Sequence, residues 1–177
     1  MELQKGRPEA NAGRLPKEIR VYDFLDSLDI EYERVDHEPA MTMEDCEGID
    51  KVLMASTCKN LFLCNRQQTD FYLLLMPANK PFKTKELSAQ LGVARLSFAS
   101  AEHMESFLDI TPGAVSVMGL INDKDKKVRL LIDKDILGDE YFGCHPCVNT
   151  TSIKIKTEEL FSKMLLMLGR SYTVVEL

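Results

Sequence analysis

The sequence predicts a mixed α/β domain of the α+β kind, with about six or seven mostly antiparallel strands interleaved with about five helices. Three observations predict it. Strand-like and helix-like patterns follow one another without the regular βαβ alternation of a doubly wound fold. Two apolar runs, "NLFLCN" and "DFYLLLMP", are separated by the polar "RQQT", which indicates a hairpin that is buried on both faces. A chain of 177 residues that is 45% apolar can bury one full core.

The first elements follow from the spacing of apolar residues. Residues 1–14 hold glycine and proline among polar residues and are predicted to form a flexible N-terminal arm, so a single domain is expected over 15–177. "LPKEIRVYDFLDSLDI" has apolar residues at helical intervals after Pro16, which a first helical turn tolerates. "EYERVDH" alternates like a strand, and Thr42 is a candidate N-cap for a short helix in "TMEDCEGI".

Beyond the predicted hairpin, helix and strand patterns follow in irregular order. "KTKELSAQLG" is predicted to be a helix that ends at Gly92, "ARLSFA" a short strand, and "SAEHMESFLDI" a helix capped by Ser100. "GAVSVMGLIND" and "KVRLLIDKDI" are predicted to be two strands joined by a polar turn. "TTSIKIK" and "SYTVVEL" are predicted strands on either side of the helix "TEELFSKMLLMLG".

Charge and composition narrow the possible classes of protein. The formal net charge of −6 argues against binding nucleic acid by charge alone, but it leaves room for a local basic rim. No apolar run reaches the ~18 residues that a membrane span needs, and the N-terminus lacks the apolar stretch of a secretory signal. The five cysteines, an odd number, fit reduced thiols. We therefore expect a cytoplasmic protein with no membrane partner.

The stretch "EYFGCHPCVN" holds Cys144 and Cys147 in C-x-x-C spacing. This spacing occurs in thiol redox centres and in halves of zinc sites. A redox motif of the thioredoxin type lies at a helix N-terminus, whereas a strand pattern follows here. A zinc site needs a second ligand pair, and the remaining cysteines and histidines show no suitable spacing. We therefore interpret both residues as ordinary half-buried cysteines, and no metal is expected.

His145 lies inside the same stretch, between Gly143 and Pro146. Glycine allows another backbone or a ligand to approach closely, and proline stiffens the turn. A loop made rigid in this way can aim a side chain at a site. The residue types alone support a functional role for His145 and a purely structural role equally well.

Two other segments can supply polar groups for catalysis. Lys59 directly precedes an apolar strand, beside Asn60, and could neutralise a carboxylate, a phosphate or a developing oxyanion. An ordinary solvated lysine fits this position as well. Pro112 and Gly113 mark a tight turn whose backbone N–H groups could bind an oxyanion, although most such turns only reverse the chain. Motifs of nucleotide-binding loops and of serine hydrolases are absent from the sequence.

Four segments, taken in order, carry a resemblance to a known family. They are "STCKNLFLCN", "KTKELSAQLGVARLSFASAEHMESFLDITPGAVSVMGLIND", "GCHPCVNTTSIKI" and "TEELFSKMLLMLGRSYTVVEL". Together they resemble the YbaK/ProX (PrdX-like) family of free-standing prolyl-tRNA editing proteins, over about residues 16–177. The resemblance implies a mixed α/β fold around a curved, barrel-like sheet. It also implies hydrolysis of the ester between a wrong amino acid and tRNA.

The resemblance further implies roles for individual residues. Lys59 and His145 are the implied catalytic residues. The implied substrate-binding residues are Asn60, Gly113, Ala114, Gly143, Pro146 and Asn149. The family often has a proline after "GAVS", where this chain has Val117. Cys144 and Cys147 do not belong to the family's pattern.

The resemblance leaves a choice of function. It favours trans-editing of mischarged tRNA(Pro), above all of Ala-tRNA(Pro), with a small cavity that excludes proline by size. The alternatives are deacylation of Cys-tRNA(Pro) and a non-catalytic module that binds tRNA or a synthetase. The implied partners are the aminoacylated 3′ end of tRNA(Pro) and, as a second candidate, prolyl-tRNA synthetase. No cofactor is expected.

Overall fold

The computed structural model describes residues 1–40 and 42–177, and the strands of this part of the chain form two sheets. In chain order the strands are β1 (Leu3–Lys5), β2 (Tyr32–Asp36), β3 (Lys59–Cys64), β4 (Phe71–Met76), β5 (Ser97–Phe98), β6 (Val128–Asp133), β7 (Tyr141–Cys144), β8 (Thr151–Lys156) and β9 (Tyr172–Val175). One sheet has the order β1-β2-β8-β7 and is antiparallel throughout. The other has the order β5-β3-β4-β6-β9, and its last three strands are parallel to one another.

Helices connect and cover these strands. They are α1 (Pro16–Ser27), α2 (Met43–Leu53), α3 (Thr84–Leu91), α4 (Ala101–Leu108), α5 (Lys134–Leu137), α6 (Thr157–Glu159) and α7 (Leu166–Leu168), with a 3-10 helix at Val117–Ile121 and a π-helical segment at Leu160–Leu165. Local signals begin and end several of them as predicted. The Thr42 side chain caps α2 in a capping box, the Ser100 side chain caps α4, and Gly92 follows α3 with φ of 66°.

The predicted hairpin is confirmed and forms the middle of the five-stranded sheet. β3 and β4 pair antiparallel from Lys59–Met76 to Cys64–Phe71. Alternate residues of β4 enter two different clusters: Leu73 belongs to the core that also contains residues of the other sheet, whereas Leu74 packs on the opposite face with Leu87 of α3. Both faces of this hairpin are therefore buried, which explains why its apolar runs are continuous.

The two sheets meet beside the functional segments. A parallel bridge joins Thr57, just before β3, to Gly143 of β7. The Gly143 N–H donates to the Ser56 carbonyl at 3.0 Å, and the Cys58 N–H donates to the Gly143 carbonyl at 2.9 Å. The start of β3 is therefore held against the end of β7, so residues 59 and 145 belong to one region of the molecule.

The structure corrects several expectations. The mixed α/β fold is present, but the described strands form two open sheets rather than one barrel-like sheet, and β1 and β7 had not been predicted. The predicted strand in "GAVSVMGLIND" is wrong, since Val117–Ile121 forms a 3-10 helix. Val117, Met118 and Leu120 are buried, and the Ser116 hydroxyl accepts the Met118 N–H at 3.1 Å, which begins a helical turn.

The N-terminal residues contact the domain. Leu3–Lys5 pairs with β2, and the Arg14 guanidinium donates to Glu18 at 2.7 Å and to Asp36 at 2.8 Å. The flexibility of residues 1–14 in solution and the domain boundary at 15 stay predictions. In the described residues, the helices are too short or too polar to cross a membrane.

Candidate functional site

A cavity of about 790 Å³ lies at the start of β3, where the two sheets meet. Its walls come from α2, from the residues before β3, from the loop after β4, from the turn before the 3-10 helix, from α5 and from the residue after β7. Four residues that were predicted to form the site line it together: Lys59, Asn60, Gly113 and His145. They are up to 86 positions apart in the sequence, so folding alone brings them together.

The Lys59 ammonium group is held without a counter-ion. Its Nζ donates to the backbone carbonyl of Lys80 at 2.6 Å. Across residues 1–40 and 42–177, no carboxylate oxygen forms an ion pair with it. The loop that carries this carbonyl is itself fixed, because Lys80 Nζ pairs with the fully buried Asp133 at 2.9 Å and with Asp135 at 2.7 Å. Lys59 therefore offers a positioned positive charge to a ligand in the cavity.

Asn60 connects β3 to the 3-10 helix. Its Nδ2 donates to the Cys58 carbonyl at 2.9 Å, and its Oδ1 accepts the Val117 N–H at 3.1 Å. The side chain therefore bonds with both of its polar atoms. The second bond needs a backbone N–H at position 117, which a proline would not have.

The turn at Pro112–Gly113 is present as predicted, and Asn149 lies against it. Gly113 has φ of 90°, and a Cβ added there would lie 3.2 Å from Asn149 Nδ2, so a side chain at this position would crowd the amide. The Asn149 Oδ1 atom is buried and has no hydrogen-bond partner among the described protein groups. An unpaired buried acceptor costs free energy, so a donor on a bound ligand would stabilise this corner. Ala114, the residue after Gly113, is buried.

His145 is fixed through one ring nitrogen. Its Nδ1 lies 2.8 Å from the Thr151 carbonyl, which can only accept, so Nδ1 carries the proton and Nε2 of the neutral ring keeps its lone pair. The buried Ser152 hydroxyl lies 3.4 Å from the same Nδ1 and 3.0 Å from Nε2 of His37. Burial lowers the pKa of His145, partly offset by the bond to Thr151, so the imidazole is neutral at pH 7.

Two other predicted residues, Gly143 and Pro146, flank His145 in its loop, together with Cys147. Gly143 is buried at the junction of the sheets, where an added Cβ would lie 3.1 Å from the Thr57 Cα atom. Pro146 is buried as well. Cys147 has φ of 64°, a left-handed conformation in the loop between β7 and β8. The predicted substrate-binding roles of Gly143 and Pro146 stay predictions; the contacts seen here are with the protein itself.

The cysteines of the C-x-x-C motif do not form a reactive pair in this structure. Cys144 and Cys147 are free and fully buried. Burial raises the pKa of each thiol to about 12, so the nucleophilic thiolate is strongly disfavoured at neutral pH. Within residues 1–40 and 42–177, His, Cys, Asp and Glu side chains do not gather into a group that could hold a metal ion.

The sequence did not point to the acidic residues of the cavity or to His37, which shares the Ser152 hydroxyl with His145. Glu47, Asp50, Asp135 and Asp139 all line the cavity. The Asp50 carboxylate accepts both the N–H and the hydroxyl of Thr57, at 2.9 and 2.6 Å. These residues belong to no recognisable sequence motif, and surface carboxylates are too common to stand out in a sequence. A register assignment of β2 against β8 was needed to place His37 beside Ser152.

Comparisons with known proteins agree with this geometry. The model of the aminoacyl-tRNA editing domain matches residues 37–162. The chain is 32% identical over 153 residues to the prolyl-tRNA editing protein ProX of Acetoanaerobium sticklandii, covering 86% of this chain and 93% of that protein. It is 28% identical to the prolyl-tRNA synthetase associated domain-containing protein 1 of Danio rerio, covering 90% and 89%.

A solved structure shares the fold. The crystal structure of a protein assigned as a trans-editing enzyme for prolyl tRNA synthetase superposes with a TM-score of 0.68, covering 92% of this chain and 96% of that one. At 16% identity this likeness concerns the fold alone. The sequence match to the family model spans most of the chain and includes the segments of Lys59, Gly113 and His145. The chain therefore belongs to the aminoacyl-tRNA editing domain family.

Proposed function

We propose that this protein is a trans-editing hydrolase that deacylates mischarged tRNA(Pro), with Ala-tRNA(Pro) as its substrate. One observation carries the proposal: Lys59, Asn60, Gly113 and His145 line a single cavity in a chain of the editing family. The relative named ProX is a prolyl-tRNA editing protein. The substrate would be the aminoacylated 3′ end of the tRNA, and prolyl-tRNA synthetase is the protein partner that the names of the relatives indicate.

The cavity suits the hydrolysis of an ester that is already activated. Such a reaction needs an oriented carbonyl, a water molecule and stabilisation of one oxyanion, rather than a strong nucleophile. Lys59 Nζ, which bonds only to a neutral carbonyl in the described structure, can hold the ester carbonyl or the terminal ribose. The developing negative charge would then lie beside a fixed cation in a partly enclosed site, where electrostatic stabilisation is strong.

The cavity also has groups for the amino acid itself. An aminoacyl ester carries an α-ammonium group, and Asp50 lies on the wall of the cavity. Asn149, whose buried Oδ1 lacks a donor among the described groups, lies against Gly113 behind the wall of the cavity. We assign the ammonium to the side of Asp50 and the ester carbonyl to the side of Lys59.

We assign His145 to the selection of the amino acid. Because its pKa is lowered by burial, it enters the reaction as a neutral ring, held by the Thr151 carbonyl. Discrimination by apolar contact is worth only about 1–3 kcal/mol per methylene, so rejection of proline requires a clash with a rigid wall. The fixed imidazole supplies such a wall. Cysteine is close to alanine in size, so Cys-tRNA(Pro) is the competing substrate.

The decisive experiment measures deacylation of Ala-tRNA(Pro), Cys-tRNA(Pro) and correctly charged Pro-tRNA(Pro) by the purified protein, with and without a metal chelator. We expect rapid release of alanine, slower release of cysteine, no release of proline and no effect of the chelator. Preferred release of cysteine would change the substrate assignment. Failure to hydrolyse any of the three, together with binding of tRNA, would make the protein a non-catalytic binding module.

A further inference from the structure

Two phenylalanine rings in contact with each other take no part in the site described above: Phe98 is exposed and Phe82 is partly buried. Phe98 of β5 is 61% exposed, which is unusual for a large aromatic residue. Its ring packs edge-on against Phe82, with the centroids 6.0 Å apart and the planes at 69°. Phe82 follows Lys80, the residue whose carbonyl holds Lys59, by only two positions. We call residues 80–85 together with Phe98 the aromatic rim.

The register of the sheet places the rim on the same face as Lys59. Phe98 lies opposite Leu63 in the β3–β5 pair, so the two side chains share a face. Alternation along β3 puts Lys59 on this face too, because residues 59, 61 and 63 point to one side. Positions 59 and 63 are four steps apart along the strand, a distance of roughly 13 Å. A few unpaired nucleotides cover that distance, since stacked bases rise about 3.4 Å each.

The charge of the rim contrasts with that of the whole chain. Residues 80–85 read "KPFKTK", with no acidic residue, in a protein of net charge −6. Lys80 is paired with Asp133 and Asp135, so Lys83 and Lys85 supply the charge of the rim. Lys83 forms a surface pair with Glu86 at 3.3 Å, which is weak in water. In the part of the chain that the structure describes, Lys85 of α3 forms no ion pair. Arg95, three positions before Phe98, forms none either. Cations without a buried partner, near an exposed aromatic ring, are the chemistry that binds single-stranded nucleic acid.

We propose that the aromatic rim binds the unpaired 3′-terminal bases of the tRNA by stacking on Phe98, with the neighbouring lysines close to the phosphates. This inference rests on the proposed function, because it takes the ester to lie beside Lys59. Stacking accepts every base, so the rim would set the affinity and the direction of the strand rather than its sequence. It would let a protein of net negative charge bind an anionic substrate at one place.

The first test uses the fact that the chain contains no tryptophan. The F98W variant introduces one fluorescent ring that can stack on a base. We expect its emission to be quenched in a saturable way by the short RNA ACCA, at low salt, without any need for catalysis. The matched control is Y172W, since Tyr172 is also exposed and also packs on a ring, that of Phe161, but lies on β9 at the opposite edge of the same sheet. Equal quenching of both variants, or of neither, would overturn the proposal.

The second test measures deacylation kinetics. F98A should raise KM for aminoacyl-tRNA about tenfold with little change in kcat, because a stacked base contributes only to binding. F98L should behave like F98A, while F98W should restore the wild-type KM, since only an aromatic ring stacks. Y172A should change KM less than twofold. Alanyl-adenosine, which lacks the preceding nucleotides, should respond to F98A less than twofold.

The outcomes separate this inference from the proposed function. Wild-type deacylation with an unchanged KM in F98A would overturn the rim and leave the editing function in place. Absence of deacylation, with selective quenching of F98W by ACCA, would overturn the function and leave the rim as an RNA site. If F98A instead changes the sedimentation coefficient and leaves KM unaltered, the exposed ring joins two protein copies, which also overturns the proposal.

Discussion

Lys59 is the residue on which the proposed chemistry depends most directly. It is half-buried, carries one hydrogen bond to a neutral carbonyl and begins β3. A lysine in this setting contributes little to folding, because a single hydrogen bond of this kind adds about 1 kcal/mol. The interaction of its ammonium group with an oxyanion or a ribose hydroxyl in the cavity would be stronger, because water is partly excluded there.

We predict that K59A lowers kcat for Ala-tRNA(Pro) deacylation by at least about 100-fold, the effect typical of a lost oxyanion donor. The midpoint of thermal unfolding should move by only a few degrees. K59R is the control, because it keeps the charge but changes the position of the donors, and an intermediate rate is expected. A folded K59A protein with wild-type turnover would remove Lys59 from the mechanism.

His145 differs from Lys59 in that its protonation state is already determined by the fold. Burial lowers its pKa below the ordinary value of about 6.5. We predict that kcat/KM stays level as the pH passes through 6.5, and that H145A lowers the rate while increasing hydrolysis of Pro-tRNA(Pro) relative to Ala-tRNA(Pro). A pH–rate profile with a step at 6.5 that H145A removes would instead make His145 the general base.

The same lowered pKa has a consequence for stability. Above pH 6.5 the ring is neutral in both the folded and the unfolded chain, and the stabilisation that depends on a neutral ring is fully present. As the pH falls below 6.5, the unfolded chain binds the proton first, so the free energy of unfolding decreases until the folded pKa is passed. We predict that H145Q loses less stability than the wild type between pH 7.5 and pH 5.5. The measurement is urea unfolding at both pH values, and equal losses would contradict the buried neutral ring.

At the scale of elements, the 3-10 helix at Val117–Ile121 begins at the residue where the resemblance implied a proline. Val117 donates its N–H to Asn60 at 3.1 Å. The position would otherwise suit proline, because it is the first residue of a helix and Ser116 before it is extended, with φ of −153° and ψ of 149°. The hydrogen bond is therefore the feature that distinguishes the two residues here.

We predict that V117P lowers the free energy of unfolding and the rate of deacylation, because the bond that orients Asn60 is lost. The cost of the bond itself should be about 1 kcal/mol. In an N60A background the Val117 N–H has already lost this partner, so V117P should cost less free energy there. The double-mutant cycle should give a coupling energy of about 1 kcal/mol. Additive effects of the two substitutions would show that the bond contributes nothing.

At the scale of the whole molecule, the junction of the two sheets determines the geometry of the site. Lys59 starts a strand of one sheet and His145 follows a strand of the other. The hydrogen bonds of Gly143 to Ser56 and Cys58 hold these strand ends together. A change at the junction therefore alters the position of Lys59 relative to His145 without touching either side chain.

We predict that G143A lowers the free energy of unfolding by about 1–3 kcal/mol, the range of overpacked sites, since its Cβ would lie 3.1 Å from backbone at Thr57. The rate of deacylation should fall with it. G138A is the matched control, because a Cβ there would meet its nearest neighbour, the Asp135 carbonyl, at an ordinary 3.7 Å. Denaturant unfolding and the deacylation assay on both variants check this prediction. Equal stability of G143A and G138A would show that the close contact at Gly143 does not matter for the junction.

Local signals in the sequence determined most of the elements of this protein. Caps such as Thr42 and Ser100 act within one turn, and apolar alternation along β4 is visible in consecutive letters, so both can be read without knowledge of the fold. Residue types made Lys59, Gly113 and His145 candidates, the family resemblance implied their roles, and all three line the cavity. The C-x-x-C spacing misled only if read alone, because burial and not spacing decides whether a thiol ionises.

Only the tertiary structure decided what lies around those candidates. The division into two sheets depends on pairing between segments far apart, such as β2 with β8, and such pairing leaves no short-range signal. The same long-range contacts join the Val117 N–H of the 3-10 helix to the Asn60 side chain, 57 positions away in the sequence. They also placed Asp50, His37 and the exposed ring of Phe98 near the cavity or its histidine, since packing and register, rather than residue type, determine which side chains meet.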